Sequence, residues 1–196
     1  MTYRSPLSDF IADVDAIRRR PVTPVQIGDA VASRLTALVA DGSWLQARYR
    51  MPAEDRYQQH VLHVADDGGF SVVSLVWKPG QKTPIHDHVS WCVVGILEGV
   101  ERERRYWLHE ADGERYLVHR FDRIAKPGET SAIVPPDEDI HQVNNAGDDL
   151  AISIHVYGAD IAKLGTSINH RFDDLPIREK ADGRQVSWRS ASLPTA

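Results

Sequence analysis

A single cysteine, Cys92, stands in a chain of 196 residues. One thiol excludes a disulfide framework within the chain, and it excludes a CxxC zinc site. With no disulfides in prospect, a cytoplasmic location is the expectation. Apolar runs are short. Nothing approaches the run of about 18 apolar residues that a membrane-spanning helix needs. The first residues, MTYRSPLSDF, lack a basic segment followed by an apolar one, so no secretory leader is expected. Positive charge is scarce as well. Lys and Arg number 23 against 28 Asp and Glu, which leaves a net charge of −5. The longest basic run is Arg18-Arg19-Arg20, so neither a nucleic-acid partner nor a membrane partner is expected. Global disorder is not expected either, because 42% apolar against 26% charged residues is the makeup of a packed domain. The length suits one structural domain.

What the chain has is histidine, nine in all, set among short strands. The first forty residues read as helical. Leu7, Phe10, Ile11, Val14 and Ile17 recur at three- and four-residue spacing behind Ser5 as N-cap, and Pro21 and Pro24 break the run. A second helix carries Ile27, Val31, Leu35, Leu38 and Val39 on one face and stops near Gly42. Residues 44–52 fit a short helix or a loop. From residue 57 the texture is β, with short runs at 57–64, 70–78, 90–98, 101–108, 115–120, 131–134, 141–143 and 151–156. Turn signals such as Pro79-Gly80, Asp112-Gly113 and Pro127-Gly128 separate them. Residues 159–164 could form a helical turn, and 184–196 read as extended and frayed. The fold expected is mainly β: a jelly-roll barrel, 51–196, with N-terminal α-helices, 1–50, packed on it as part of one structural domain.

His86-Asp87-His88 sits at the start of a strand. On a strand, residues i and i+2 share a face, so both imidazoles can grip one metal ion while Asp87 points away. Alone, such a pair reads equally well as two solvated histidines in a polar loop. The frame around it changes that. Gly80, five residues, His86, one residue, His88, three residues, Cys92, six residues and Gly99 reproduce the spacing of the first cupin motif, with Cys92 where that motif carries glutamate. About fifty residues later, Pro136, His141 and Asn145 fit the end of the second motif, with Glu138 in place of its internal glycine. His86, His88 and His141 are therefore the expected metal ligands. Three neutral imidazoles leave the ion's charge uncompensated and leave positions open, which suits an anionic substrate such as a thiolate on Fe(II). Zinc with a bound water is the competing reading, and spacing does not separate the two metals.

Ser153, His155 and Tyr157 alternate with Ile152, Ile154 and Val156 on a later strand. Three polar groups on an inward face must satisfy one another, as a hydroxyl–imidazole–phenol relay. The strand alone would equally fit an outward polar face.

Taken with these residues, the sequence resembles the cysteine dioxygenase family of cupins, the mononuclear iron thiol dioxygenases. The likeness is carried by His86, His88, His141, the Ser153-x-His155-x-Tyr157 strand and Tyr57. The runs FSVVSLVWKPGQKTPIHDHVSWCVVGILEG and ISIHVYGADI are especially similar to the bacterial 3-mercaptopropionate dioxygenase branch. The resemblance implies Fe(II) on the three histidines, and a relay of Ser153, His155 and Tyr157 that positions substrate and oxygen. It implies conversion of a small thiol and O2 to a sulfinic acid.

Three positions depart from one branch or the other. Cysteine-selective members carry a carboxylate-clamping arginine two residues after the tyrosine that matches Tyr57; here that residue is Gln59, as in the mercaptopropionate branch. That branch draws an arginine from the segment after the relay tyrosine, where this chain has Thr166, with Arg171 the nearest arginine downstream. Cys92 occupies the place of a cysteine that, in mammalian-type members, forms a thioether with the relay tyrosine. It reads equally as a small buried apolar residue or as a metal ligand. The substrate pocket expected is Tyr57, Gln59, Arg171 and Trp77. A 3-mercaptopropionate-like thiol fits it best, with L-cysteine or a larger heterocyclic thiol stacking on Trp77 or Trp91 as alternatives. A zinc isomerase or hydrolase and a non-catalytic ligand-binding cupin are the readings from other classes. The chain is expected to act as a monomer or small homo-oligomer.

Overall fold

The computed structural model describes residues 5–111, 113–136 and 139–178. Helix α1 (Pro6–Arg18) begins where Ser5 Oγ accepts from the Ser8 backbone N–H, and α2 (Pro24–Val39) begins at a reciprocal cap between Thr23 and Gln26. Pro24 is therefore the first residue of α2 rather than only a breaker, because a first-turn proline has no hydrogen bond to lose. Residues Ala47–Arg50 form one 3-10 turn.

Among the described residues eleven strands follow: β1 (Gln58–Val64), β2 (Ser71–Trp77), β3 (His86–His88), β4 (Cys92–Glu98), β5 (Glu101–Ala111), β6 (Glu114–Ala125), β7 (Thr130–Ile133), β8 (His141–Asn145), β9 (Ala151–Tyr157), β10 (Ile168–Arg171) and β11 (Ile177–Arg178). A short helix, α3 (Ile161–Leu164), separates β9 from β10. One sheet runs β1-β2-β9-β4-β7 and the other β10-β3-β8-β5-β6-β11. Non-consecutive neighbours in both sheets are the mark of a jelly roll, so the architecture is the expected cupin barrel with N-terminal helices. Residues 184–196 and Glu138 lie outside the described residues.

The inner strands of the first sheet are buried on both faces. Val72, Val76, Val93, Ile152, Ile154 and Val156 meet Val14, Val31, Leu35 and Leu38 of the two helices. The alternate residues Val73, Leu75, Trp77, Cys92 and Tyr157 turn into the barrel. Strands β2 and β9 consequently read as unbroken buried runs. Gly99 turns β4 into β5 at φ +73°, and a Cβ there would collide with the backbone of residues 150 and 151. That explains physically the glycine that closes the first motif.

Candidate metal centre and relay

His86 and His88 lie on the inward face of β3, and β8 pairs beside it with His141 directly opposite His86. All three are buried, and their rings stand 4.7 to 4.9 Å apart between centroids. The ligand atoms they offer lie within 4.8 Å of one another, close enough to share one ion. Each remaining nitrogen is turned towards an acceptor. His86 Nδ1 is 2.9 Å from the Pro84 carbonyl, and His141 Nδ1 is 2.7 Å from Glu103 Oε1. His88 Nδ1 faces Asp139 Oδ2 at 3.6 Å, just beyond hydrogen-bond length, while the same carboxylate accepts from the His88 backbone N–H at 2.9 Å. With Nδ1 of His86 and His141 committed to an acceptor, Nε2 of each presents its lone pair inward, as metal-binding histidines do.

The electrostatics agree with a cation site. Burial drives His141 down to about 4, against the pull of Glu103, so the imidazole is neutral near pH 7. Burial resists ionisation of Glu103, but its hydrogen bond to His141 and the Arg105 guanidinium bring it to about 2. Three buried imidazoles, two of them braced by acceptors, fit a divalent metal, and the donor set suits iron and zinc alike.

The opposite wall belongs to the first sheet. Ser153, His155 and Tyr157 face the barrel from β9. Tyr157 OH is 3.0 Å from His155 Nδ1, and Ser153 Oγ is 2.9 Å from His155 Nε2. Trp77 Nε1 donates to Ser153 Oγ at 3.3 Å. Burial lowers His155 to about 3 and pushes the Tyr157 phenol up, so both are neutral. Cys92 pairs with Tyr157 across β4 and β9. Its sulfur lies 3.9 Å from His155 Nδ1 and outside the histidine cluster, so its neighbours are the relay groups, not the metal ligands. Burial drives the Cys92 thiol upward, which keeps it protonated.

One cavity joins the histidines to the relay, and Tyr57, Gln59, Trp77 and Cys92 help line it. Tyr57 stacks on Trp77 with centroids 4.4 Å apart. Arg171 does not line this cavity; it is exposed on β10, and its charge reaches the Tyr57 phenol. Thr166 is exposed as well. Trp91 packs against the helix-side core at Gly158, away from the cavity, so of these two tryptophans Trp77 is the one that lines it. Glu101, Glu103 and Asp139 are site residues that the sequence did not single out. In ERERRYW Glu101 and Glu103 fall on one face and Arg102 and Arg104 on the other, and that separation of sign was the available signal.

A sequence model of the family described as cysteine dioxygenase type I matches residues 11–170. Among solved structures, a double-stranded β-helix protein from Klebsiella pneumoniae is 20% identical over 58% of this chain and 85% of its own, with a TM-score of 0.40. A Thermus thermophilus protein is 18% identical over 57% of this chain and 91% of its own, with a TM-score of 0.42. An oxalate oxidase solved with the substrate analogue glycolate is 19% identical, with 59% of each chain covered and a TM-score of 0.44.

Proposed function

We propose that this chain, which belongs to the cysteine dioxygenase type I family, is an Fe(II)-dependent dioxygenase that converts a small thiol to its sulfinic acid with O2. The observation that carries the reading is one cavity with two walls: three buried imidazoles on β3 and β8, and the Tyr157–His155–Ser153 chain facing them from β9. Bound to His86, His88 and His141, Fe(II) would supply open coordination positions and the electrons that O2 activation requires. The protein's part is positional. Tyr157 holds a neutral hydroxyl over the cavity, His155 fixes its direction, and Ser153 fixes the imidazole. Trp77 and Tyr57 supply an apolar stacked wall that keeps water from the reacting sulfur.

The substrate favoured is 3-mercaptopropionate or a close analogue. No arginine or lysine lines the cavity among the described residues. Its polar substrate-facing groups, Tyr57, Gln59 and Ser167, are neutral. A free amino-acid thiol would bring two charges into a site that pairs neither well. A thiol with one carboxylate brings one, and the field of exposed Arg171 reaches that end. Missing a bidentate clamp costs about 1.5–3 kcal/mol, or roughly ten- to a hundredfold in specificity.

The test is protein purified without oxygen, assayed for metal, then followed by O2 uptake with cysteine, 3-mercaptopropionate, cysteamine and an imidazole-thiol. The expected result is iron-dependent uptake, a sulfinate product, and the highest kcat/KM for mercaptopropionate. Full activity with zinc alone would overturn the dioxygenase. Cysteine winning by a wide margin would overturn the Gln59 argument. Mercaptopropionate turning over no faster than cysteamine would show that no carboxylate is recognised.

A further inference from the structure

Behind the relay lies a second cavity, back to back with the first. Val94, His141, Val143 and His155 border both. Glu101, at the start of β5, borders only the second. Its side chain is buried, with the residue 2% exposed, and its Oε1 has no hydrogen-bond partner among the described residues. The Ser153 hydroxyl, bonded in this structure to Trp77 and His155, and the Trp77 N–H are close enough to the carboxyl to favour its charged form. Glu103 approaches along the same strand, with His141 beyond it on β8. His155 lies on β9, Arg123 on β6 and Glu129 before β7. Burial pushes the Glu101 carboxyl up to about 7 against the pull of Ser153, and the Glu103 charge adds to the rise.

We infer that Glu101 is the far end of the relay: it takes up the proton of the substrate thiol through Tyr157, His155 and Ser153, holds it during oxygenation, and returns it on product release. This rests on the thiol dioxygenase reading. The chemistry of Ser153 makes the chain two-way. A serine hydroxyl has one proton to give and two lone pairs to fill. Trp77 Nε1 can only donate, so it always takes one lone pair. With Glu101 ionised, His155 Nε2–H takes the other, Ser153 donates to Glu101, and Tyr157 OH donates to Nδ1. The thiol then gives its proton to the Tyr157 oxygen, Tyr157 gives its own to Nδ1, Nε2–H passes to Ser153, and the Ser153 proton passes to Glu101. Four protons move one place each, and the sulfur is left with the electron pair. In the resulting state Nδ1–H donates to the Tyr157 oxygen, which frees the Tyr157 hydroxyl to point into the substrate cavity. The reverse sequence delivers the proton to the departing product, so thiol and O2 become sulfinic acid with every atom accounted for. Glu101 touches no substrate; it acts through Ser153.

The test has two readouts. In zinc-loaded protein, which is diamagnetic, nitrogen NMR reports which nitrogen of His155 carries the proton. The wild type should change from Nδ1–H to Nε2–H as pH rises through the ionisation of Glu101. Glu101→Gln and Glu101→Leu should each hold one tautomer throughout. In iron-loaded protein, wild-type kcat/KM should rise with pH over the same range, because only ionised Glu101 can accept. Glu101→Gln should lose that rise and fall about a hundredfold at its upper end, with unchanged iron content. The same pH profile in Glu101→Gln and wild type would overturn the inference. So would a wild-type His155 tautomer that ignores pH while Glu101 titrates, a measurement that stands even if both variants fail to fold. A tautomer change in a protein that consumes no thiol would fault the thiol reading instead, and leave the coupling of Glu101 to His155 standing.

Discussion

A histidine ligand is only as good as the group behind it. His141 Nδ1 donates to Glu103, whose own charge is held by Arg105. Glu103→Ala should leave the imidazole free to rotate and to change tautomer. Iron affinity should drop by roughly 10- to 100-fold with the fold intact, read as the free-metal concentration at half loading. His141→Ala should lose bound iron almost entirely. Unchanged affinity in Glu103→Ala would mean that the barrel alone aims the ring. Cys92 poses a question of a different kind. It faces Tyr157 across paired strands, the arrangement a thioether between them requires. Its formation would remove two hydrogens and need O2 as oxidant. Intact mass after long aerobic turnover should show that loss in wild type and not in Cys92→Ser, and Cys92→Gly should keep substantial activity. An unmodified, titratable thiol would leave Cys92 as packing. The cluster of His86, His88 and His141 was legible in the sequence because two share a strand face and the third sits at a fixed motif distance. Glu103, Asp139 and Glu101 were not, because what makes them matter arrives from β8, β3 and β9. A run such as ERERR, taken alone, reads as a solvated charged strand.

The relay-bearing sheet packs against α2 through β4 and β7. Gly95 lies on the helix side of β4, where an added Cβ would stand 2.8 Å from Leu35 Cγ and 3.0 Å from Val39 Cγ1. The helix can approach that closely only over a glycine. Gly95→Ala should cost about 1–3 kcal/mol by overpacking. Leu35→Ala should cost about 2–5 kcal/mol by leaving a cavity. The two share one space, so the double variant should be more stable than the sum of the single costs implies. Chemical denaturation of the four proteins measures the coupling, and strict additivity would show that α2 does not rest on Gly95. Element types were readable from period and turn residues. The lengths of β5 and β6 were not, since the missed ends, 109–111 of β5 and 121–125 of β6, are strand only through their pairing with 114–116 and 101–105. Strands β10 and β11 escaped recognition because two to four residues carry no period, and β3, read as the start of the strand at 90–98, is a separate strand in the other sheet. Only pairing to β8, β3 and β6 makes them strands.

Across the whole molecule the site is an inter-sheet object. His86, His88 and His141 come from one sheet and Ser153, His155 and Tyr157 from the other, and the N-terminal helices share the core of the second. The unfolded chain cannot gather His86, His88 and His141, so metal binding must favour the native state. At a free metal concentration 100 times the dissociation constant the gain is about 2.7 kcal/mol. Chelation should therefore lower Tm, added Fe(II) under anaerobic conditions should restore it, and His141→Ala should respond to neither. The N-terminal segment, 1–50, enters the same argument. Phe10, Val14, Leu35 and Leu38 bury against Val72, Ile152 and Ile154, leaving no separate helical core to melt alone. Helix content, followed by far-ultraviolet dichroism, and the barrel tryptophans, followed by fluorescence, should give one coincident transition. Metal should move both signals together. A helix transition that stays fixed while the tryptophan signal shifts with metal would divide the chain into two units, and would show that the contact between α2 and β4 does not carry stability from the helices to the metal site.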